Sequence, residues 1–351
     1  MSAAVAAPPR AGIQRARYWI VDQLLSGKPA GWIEDRLCLA GVPRDEAARE
    51  VAAALASDAV QAAKIHMRRR KQLEQLLEMY AALWRRSAAS RAIPEVATLD
   101  EETFAEAFYY RNRPVVVRGG VAHWPAVGRW TPRYFKQHFG SVEIEYMRGT
   151  NRYAHETARA RATMGAFVDE VESTRASNAF YVVATNRSLR NPGLAPLSDD
   201  LRPIAFAPAL DFDDPQMMRL WFGPRGTITA LHHDVMNVLF AQVYGRKQFI
   251  LAPSFCLPMA ANRVGLRSEI DPVAIDAARS PRAAEIPWLH VEVGPGDLLF
   301  IPLGWWHWVF AAETSISIGF GDFTVGGAYD EWSAADLDAP LPPFPFGEER
   351  A

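Results

Sequence analysis

Two short segments, far apart in the chain, constrain the fold more than any other feature. The first reads His232-His233-Asp234, and the second ends in His307. In a strand, residues i and i+2 point to the same side, so His232 and Asp234 can face one ion while His233 faces away. His307 must then come from a strand folded back beside the first. Two imidazoles and one carboxylate on one face of a metal are the usual ligands of a non-haem Fe(II) site.

The residues around both segments read as short strands separated by turns. The turns are Tyr244-Gly245-Arg246 and the stretch 294–297, which contains two glycines, a proline and an aspartate. The β-rich runs between and beside them cover residues 238–243, 248–251, 298–301 and 315–320. This pattern predicts a mainly β fold, an antiparallel barrel or jelly roll, with helical additions. The mouth of such a barrel suits a metal site because the strands hold ligands around a cavity.

Residues 229–251, together with the block 296–307, resemble the Jumonji-C (cupin-like) Fe(II)/2-oxoglutarate-dependent oxygenases. Within that group they are most similar to the factor-inhibiting-HIF type protein hydroxylases. Residues 113–119 and 123–130 resemble the opening of the same domain, so that the match covers roughly residues 92 to 325. The resemblance implies a double-stranded β-helix, the jelly-roll or cupin barrel. It also implies Fe(II) as metal, 2-oxoglutarate as cosubstrate and O₂ as oxidant.

The resemblance also assigns roles to single residues. His232, Asp234 and His307 are the expected iron ligands. Thr229 matches the family hydroxyl that bonds the distal carboxylate of 2-oxoglutarate, and Lys247 matches the lysine that pairs with it. The chemistry requires such groups, because a diacid that chelates iron at its keto-acid end needs a cation and a donor at the other end.

Two further residues are candidates for cosubstrate binding, and two positions depart from the family. Tyr181 matches the family's cosubstrate-binding tyrosine, and Asn237 is a candidate that either reaches the metal site or satisfies a strand end. The family often has an asparagine where this chain has Val238. The last-strand asparagine of the asparaginyl hydroxylases corresponds here to Gly319.

By resemblance, the expected reaction is hydroxylation of a protein or peptide side chain, with release of succinate and CO₂. Histone demethylation is less favoured, since no Cys/His zinc module accompanies the domain. Hydroxylation of a small molecule or a tRNA base stays open. So do two other classes: a cupin-fold metal-binding protein without 2-oxoglutarate chemistry, and a catalytically silent module in which the N-terminal helices recruit a partner.

The pattern divides the chain into four segments. Residues 1–12 are expected to be disordered, 13–90 to be α-helical, 91–330 to form the catalytic domain, and 331–351 to be a proline-rich extended tail. An apolar helical stripe runs through Leu73, Leu76, Leu77, Tyr80, Leu83 and Trp84, after the basic residues Lys64, Arg68, Arg69, Arg70 and Lys71. This stripe must be buried, against the barrel or in a homodimer.

Composition makes several classes less favoured. A formal net charge of −2 gives no global nucleic-acid signature, which argues against a nucleic-acid partner but leaves one open, and two cysteines in different segments give no disulfide framework. The chain shows no signal peptide and no apolar run long enough to span a membrane. We therefore expect a cytoplasmic enzyme.

Overall fold

The computed structural model describes residues 10–149, 158–208, 210, 214, 217–256, 266–268, 270–278 and 280–321. The predicted tail 331–351 lies outside these residues, as do the first nine residues. Within the described part, the chain divides into two compact units, with the boundary after Met79. No described helix combines the length and the apolar character that crossing a membrane requires.

The first unit is helical, as the N-terminal pattern predicts. Its helices are α1 (Arg10–Leu25), α2 (Ala30–Leu39), α3 (Arg44–Ala56) and the start of α4 (Asp58–Arg86). Helix α1 therefore begins inside the segment that we expected to be disordered. Gly27 and Gly41 follow α1 and α2 with φ of 82° and 90°, the left-handed conformation that ends a helix. A small core forms around Ile20, Ile33 and Val51, which are fully buried.

Helix α4 carries the apolar stripe, and most of that stripe is exposed. Leu73 is 63% exposed and Leu83 is 57% exposed, whereas Trp84 packs edge-on against Trp305 at 5.8 Å between ring centroids. On the polar side of the helix, Arg70 Nε lies 2.7 Å from Glu74 Oε1. Burial of the stripe in a homodimer stays a prediction.

Two antiparallel sheets dominate the second unit. The strands are β1 (Glu95–Val96), β2 (Val115–Val117), β3 (Glu143–Arg148), β4 (Ala158–Thr163), β5 (Phe180–Tyr181), β6 (Met218–Gly223), β7 (Ile228–His232), β8 (Val238–Tyr244), β9 (Lys247–Ala252), β10 (Leu289–Val293), β11 (Leu298–Ile301), β12 (Trp306–Ala311) and β13 (Ser315–Gly321). One of the two large sheets has the order β1-β2-β11-β8-β13-β6, in which only β1 and β2 pair in parallel, and the other has the order β10-β9-β12-β7. A third sheet, β4-β3-β5, is formed by strands that fall between β2 and β6 along the chain. The β-rich runs of the sequence analysis all became strands.

Alternation along the strands gives each sheet an inner and an outer face. Phe240, Phe249 and Val309, from β8, β9 and β12, share one buried cluster, so the two large sheets enclose a common lumen. The outer face of the six-stranded sheet is covered by the helices α5 (Glu101–Phe104), α6 (Pro125–Arg129), α7 (Pro132–Phe139) and α8 (Met164–Ser173). This is the predicted double-stranded β-helix.

A β-bulge in β7 determines which side chains reach the lumen. His307 pairs with His232, and Val309 pairs with Thr229, so that two steps on β12 match three on β7. Ile228 and Leu231, also three apart, both pack on the outer face. The extra residue in β7 therefore turns both Thr229 and His232 inward, which a regular strand would not do.

The turn before β11 is fixed by one carboxylate. Asp297 accepts hydrogen bonds from the backbone N–H groups of Gly119 and Gly294, each at 3.0 Å, and from Arg118 Nη1 at 2.6 Å. Arg118 also forms a bidentate pair with Glu95, and these carboxylates raise its pKa above the usual range. The sequence indicated the aspartate of the turn 294–297, but it gave no sign that Arg118 would pair with it.

We expect Asp297→Ala to lower the free energy of unfolding by about 2 to 4 kcal/mol, because two backbone donors and a guanidinium lose a partly buried acceptor. Urea titration measures the change. Glu95→Ala is the matched control: it removes the more exposed partner of the same arginine and should cost at most about 1 kcal/mol. Equal losses in the two variants would contradict this account of the turn.

Candidate metal centre and its surroundings

Three side chains predicted as metal ligands converge at one end of the lumen. His232 is the last residue of β7, His307 is the second residue of β12, and Asp234 lies in the loop after β7. One ligand atom from each lies within 4.8 Å of the other two, and the two imidazole centroids are 4.1 Å apart. Among the described residues this is the one such group of three.

The hydrogen bonds of the two histidines leave the ligand nitrogens free. His232 Nδ1 lies 2.8 Å from the carbonyl of Ala230, and His307 Nδ1 lies 3.0 Å from that of Trp305. A carbonyl only accepts, so each Nδ1 carries the hydrogen and each Nε2 presents a lone pair. Burial, and after it the proximity of His307, hold the pKa of His232 well below its usual range, which keeps it neutral. The donor set therefore fits a divalent metal.

The loop that precedes β12, the strand with His307, is fixed from two sides. Leu303 donates its N–H to Asn237 Oδ1 at 2.9 Å, and its carbonyl accepts from Asn112 Nδ2 at the same distance. Gly304, with φ of 77°, donates to the carbonyl of Asp234 at 3.1 Å. These bonds join the loop after β7, which contains Asp234, to the loop before β12. The positions of the three side chains are therefore set by the fold.

Asn237 is thus placed by the structure at the satisfied strand end, one of the two alternatives in the sequence analysis. It is 7% exposed, and its carbonyl oxygen is occupied by Leu303. A direct contact with a cosubstrate stays a prediction. His233 faces away from the centre, as expected, and its ring packs edge-on against Trp306 at 4.5 Å between centroids.

A second polar group lies in the lumen further along the same strands. The Tyr181 hydroxyl lies 3.0 Å from Thr229 Oγ1, which brings together two residues that are far apart in sequence. Thr229 pairs with Val309, and Val309 pairs with Phe249 of β9. Lys247 is two residues from Phe249 and points to the same face.

Lys247 is a buried cation without an acidic partner among the described residues. Its side chain is 5% exposed, and its ammonium lies 5.3 Å from the ring centroid of Phe240. Burial lowers its pKa to about 7, with no charged group contributing. An aromatic face compensates only part of the lost hydration. The site therefore favours binding of an anion, because a negative charge beside Lys247 would favour the protonated form of its amine.

Gly319 explains one departure from the family. A Cβ atom at this position would lie 2.5 Å from Cζ3 of Trp221, so the indole fills the space that the family's asparagine would need. Trp221 also packs against Phe240 at 5.5 Å between ring centroids. The sequence analysis did not single out Trp221, although a tryptophan inside a β-rich run next to the motif was a signal. The other departure, Val238, pairs with Ile301 and Gly321 at the start of β8.

Comparison with known protein families matches residues 101–320 to the cupin-like domain. The curated relatives include an Arabidopsis thaliana protein named lysine-specific demethylase JMJ30, 28% identical over 67% of this chain and 56% of that protein. A Xenopus tropicalis protein named lysine-specific demethylase 8 is 25% identical over 65% of this chain and 52% of its own length. A human protein named bifunctional peptidase and (3S)-lysyl hydroxylase JMJD7 is 26% identical over 60% of this chain and 77% of that protein.

This chain therefore spans little more than half the length of the first two relatives. The matched region contains every element of the lumen, from β2 to β13, and all three residues of the metal centre. The relatives and the domain agree with the resemblance in the sequence, although a specific likeness to the factor-inhibiting-HIF type is not among these matches. The chain belongs to the cupin-like domain family.

Proposed function

We propose that this protein is an Fe(II)- and 2-oxoglutarate-dependent oxygenase that hydroxylates a side chain of a protein or peptide. The observation that carries the proposal is Lys247, a buried ammonium with no acidic partner among the described residues, in the same lumen as the His232, Asp234 and His307 group. A cupin that only held a metal would have no use for such a cation.

His232, Asp234 and His307 would hold Fe(II), and a set of three protein ligands leaves the metal able to bind 2-oxoglutarate and O₂ as well. When bound, iron and 2-oxoglutarate together supply the oxidising chemistry: one oxygen atom goes to the substrate and one to succinate, with loss of CO₂. Each neutral imidazole would bind the metal through the lone pair of Nε2. The hydrogen bond from Nδ1–H to a backbone carbonyl fixes the plane of each ring.

The residues at the far end would orient the cosubstrate. Lys247 would neutralise the distal carboxylate, and the Thr229 hydroxyl would donate to it. The Tyr181 hydroxyl lies 3.0 Å from Thr229 Oγ1 and would help to hold the Thr229 hydroxyl in position. Phe240 and Trp221 line the same part of the lumen and exclude water, which strengthens the ion pair.

The relatives support a protein substrate, since two are named demethylases of lysine and one a lysyl hydroxylase. Hydroxylation is also the first step of demethylation, because a hydroxylated N-methyl group loses formaldehyde. The same site thus serves a demethylase, which is the second candidate and which those two names favour. A cytoplasmic location stays a prediction.

Anaerobic addition of Fe(II) and then 2-oxoglutarate should produce the visible charge-transfer band of a bidentate keto-acid chelate. His307→Ala should abolish the band, because it removes a ligand that is fixed in place by the fold. Lys247→Ala should weaken it at a given 2-oxoglutarate concentration, and His233→Ala should leave it unchanged. Tight metal binding without this band would refute the assignment of 2-oxoglutarate as the cosubstrate.

Binding of 2-oxoglutarate should take up a proton above pH 7. Burial holds the pKa of Lys247 at about 7, and a carboxylate beside the ammonium raises it again, so binding protonates the lysine. Affinity should then fall by up to about tenfold per pH unit above 7. Calorimetry of the Mn(II)-loaded protein at pH 8, in buffers of different ionisation enthalpy, counts the protons. Lys247→Arg, which stays charged, should take up none, and identical proton uptake in both proteins would contradict the assignment.

Lys247→Met should stabilise the metal-free protein while weakening 2-oxoglutarate binding at least about 100-fold. The folded-state pKa of Lys247 lies below the unfolded value, so the cost of burying the charge is full below pH 7 and disappears as pH rises towards 10.5. We expect the melting temperature of Lys247→Met to exceed that of wild type by about 5 °C at pH 6.5, and by much less at pH 9.5. An increase in melting temperature that is the same at both pH values would indicate that better packing of the methionine, and not removal of a buried charge, stabilises the variant.

A further inference from the structure

A short segment beyond β7 places an arginine beside the metal centre. Residues 266–268 run antiparallel to the free edge of β7: His233 N–H donates to the carbonyl of Leu266 at 2.9 Å, and Ser268 N–H donates to that of Leu231 at 2.8 Å. These two bonds flank the pair of His232 and Arg267, which is therefore a pair without mutual hydrogen bonds. In such a pair the Cα atoms are about 4.5 Å apart and the side chains are close.

The side chain of Arg267 lies on the same face as the metal ligands. Residues directly opposite one another on neighbouring strands project to the same side of a sheet. His307, His232 and Arg267 are paired across three adjacent strands, so Arg267 flanks the centre on the side away from His307.

No described residue neutralises this arginine. Other arginines of the domain have carboxylate partners, such as Arg129 with Asp200 at 2.6 Å and Arg148 with Glu170 at 2.6 Å. Arg267 is half-buried and makes no ion pair or side-chain hydrogen bond within the described part of the chain. A positive charge beside a site for a divalent cation opposes metal binding, so a structural role alone does not account for its position.

In the proposed complex, the charges of the metal, the cosubstrate and the site residues cancel, and the positive charge of Arg267 is left without a partner among the described residues. Fe(II), Lys247 and Asp234, together with the dianion of 2-oxoglutarate, add up to zero when both histidines are neutral. Arg267 then remains as a single positive charge beside the centre. A guanidinium binds a carboxylate in a two-point geometry that an ammonium or a neutral group does not match.

We propose that Arg267 is a specificity-determining residue that binds a carboxylate of the substrate, and that the substrate is a peptide with an aspartate or glutamate close to the oxidised residue. This inference rests on the proposed oxygenase function. Because Arg267 is the direct strand neighbour of His232, the acidic residue should lie within about two residues, or about 7 Å of extended chain, of the oxidised position. Lys247 serves the cosubstrate, so the two cations have separate partners.

The test uses a degenerate peptide library and binding, not turnover. Full-length protein loaded with Mn(II) and N-oxalylglycine, a non-reactive 2-oxoglutarate analogue, captures peptides that are then sequenced. Wild type should enrich Asp and Glu at one fixed position. Arg267→Gln should lose that enrichment, Arg267→Glu should replace it with Lys and Arg, and Arg267→Lys should keep part of it. Arg246→Gln, which changes an exposed arginine paired with Glu292, should behave as wild type.

Individual peptides then give the magnitude. Replacing the enriched acid by its amide should weaken binding to wild type about tenfold and to Arg267→Gln less than about twofold. Libraries with free and with amidated C-termini separate an acidic side chain from a terminal carboxylate, and enrichment confined to free termini would overturn the acidic-residue assignment.

The two proposals fail separately. The charge-transfer band should be the same in wild type and Arg267→Gln, because Arg267 does not bind the cosubstrate. No band in wild type would refute the oxygenase function itself. A normal band in both proteins, with no acid preference that follows position 267, would overturn the role of Arg267 alone.

Discussion

The pairing between β7 and β12 is the constraint on which the rest of the site depends. It brings His307 opposite His232, and its bulge shifts the register by one residue between that pair and the pair of Val309 with Thr229. Without the bulge, a metal ligand and a hydroxyl three residues apart would lie on opposite faces of the sheet. With it, both face the lumen, so that the His232, Asp234 and His307 group and the Thr229 hydroxyl lie on the same face of the sheet.

The second determinant is electrostatic. A cupin lumen is a poor place for a charge, and the aromatic neighbours of Lys247 make hydration scarcer still. An anion beside Lys247 would meet an ammonium that burial has already deprived of most of its hydration.

The strands could be predicted because they depend on local signals, namely alternation and turn residues. The sequence also predicted that His232, Asp234 and His307 would come together, and the structure brings them together; that they bind iron stays a prediction. Thr229 and Lys247 were assigned through resemblance, their contact with a cosubstrate stays a prediction, and the structure places Tyr181 beside Thr229. Features that arise only from pairing between distant strands were missed, namely the bulge, the indole over Gly319 and the position of Arg267. Asn237 shows the limit: its sequence neighbourhood left open whether it reaches the metal site or satisfies a strand end, and only the structure shows that its side-chain oxygen accepts a hydrogen bond from the backbone N–H of Leu303.

The contact between Trp221 and Gly319 has a consequence for how this lumen can diverge. Trp221 of β6 pairs with Ser317 of β13, and its indole lies over Gly319, two residues further along β13, so that a side chain at 319 collides with the indole. An asparagine can return to 319 only after position 221 has become smaller, and a lone first step at 319 would be disfavoured. The two positions are therefore expected to change in a fixed order, which makes the history of this pocket dependent on its path.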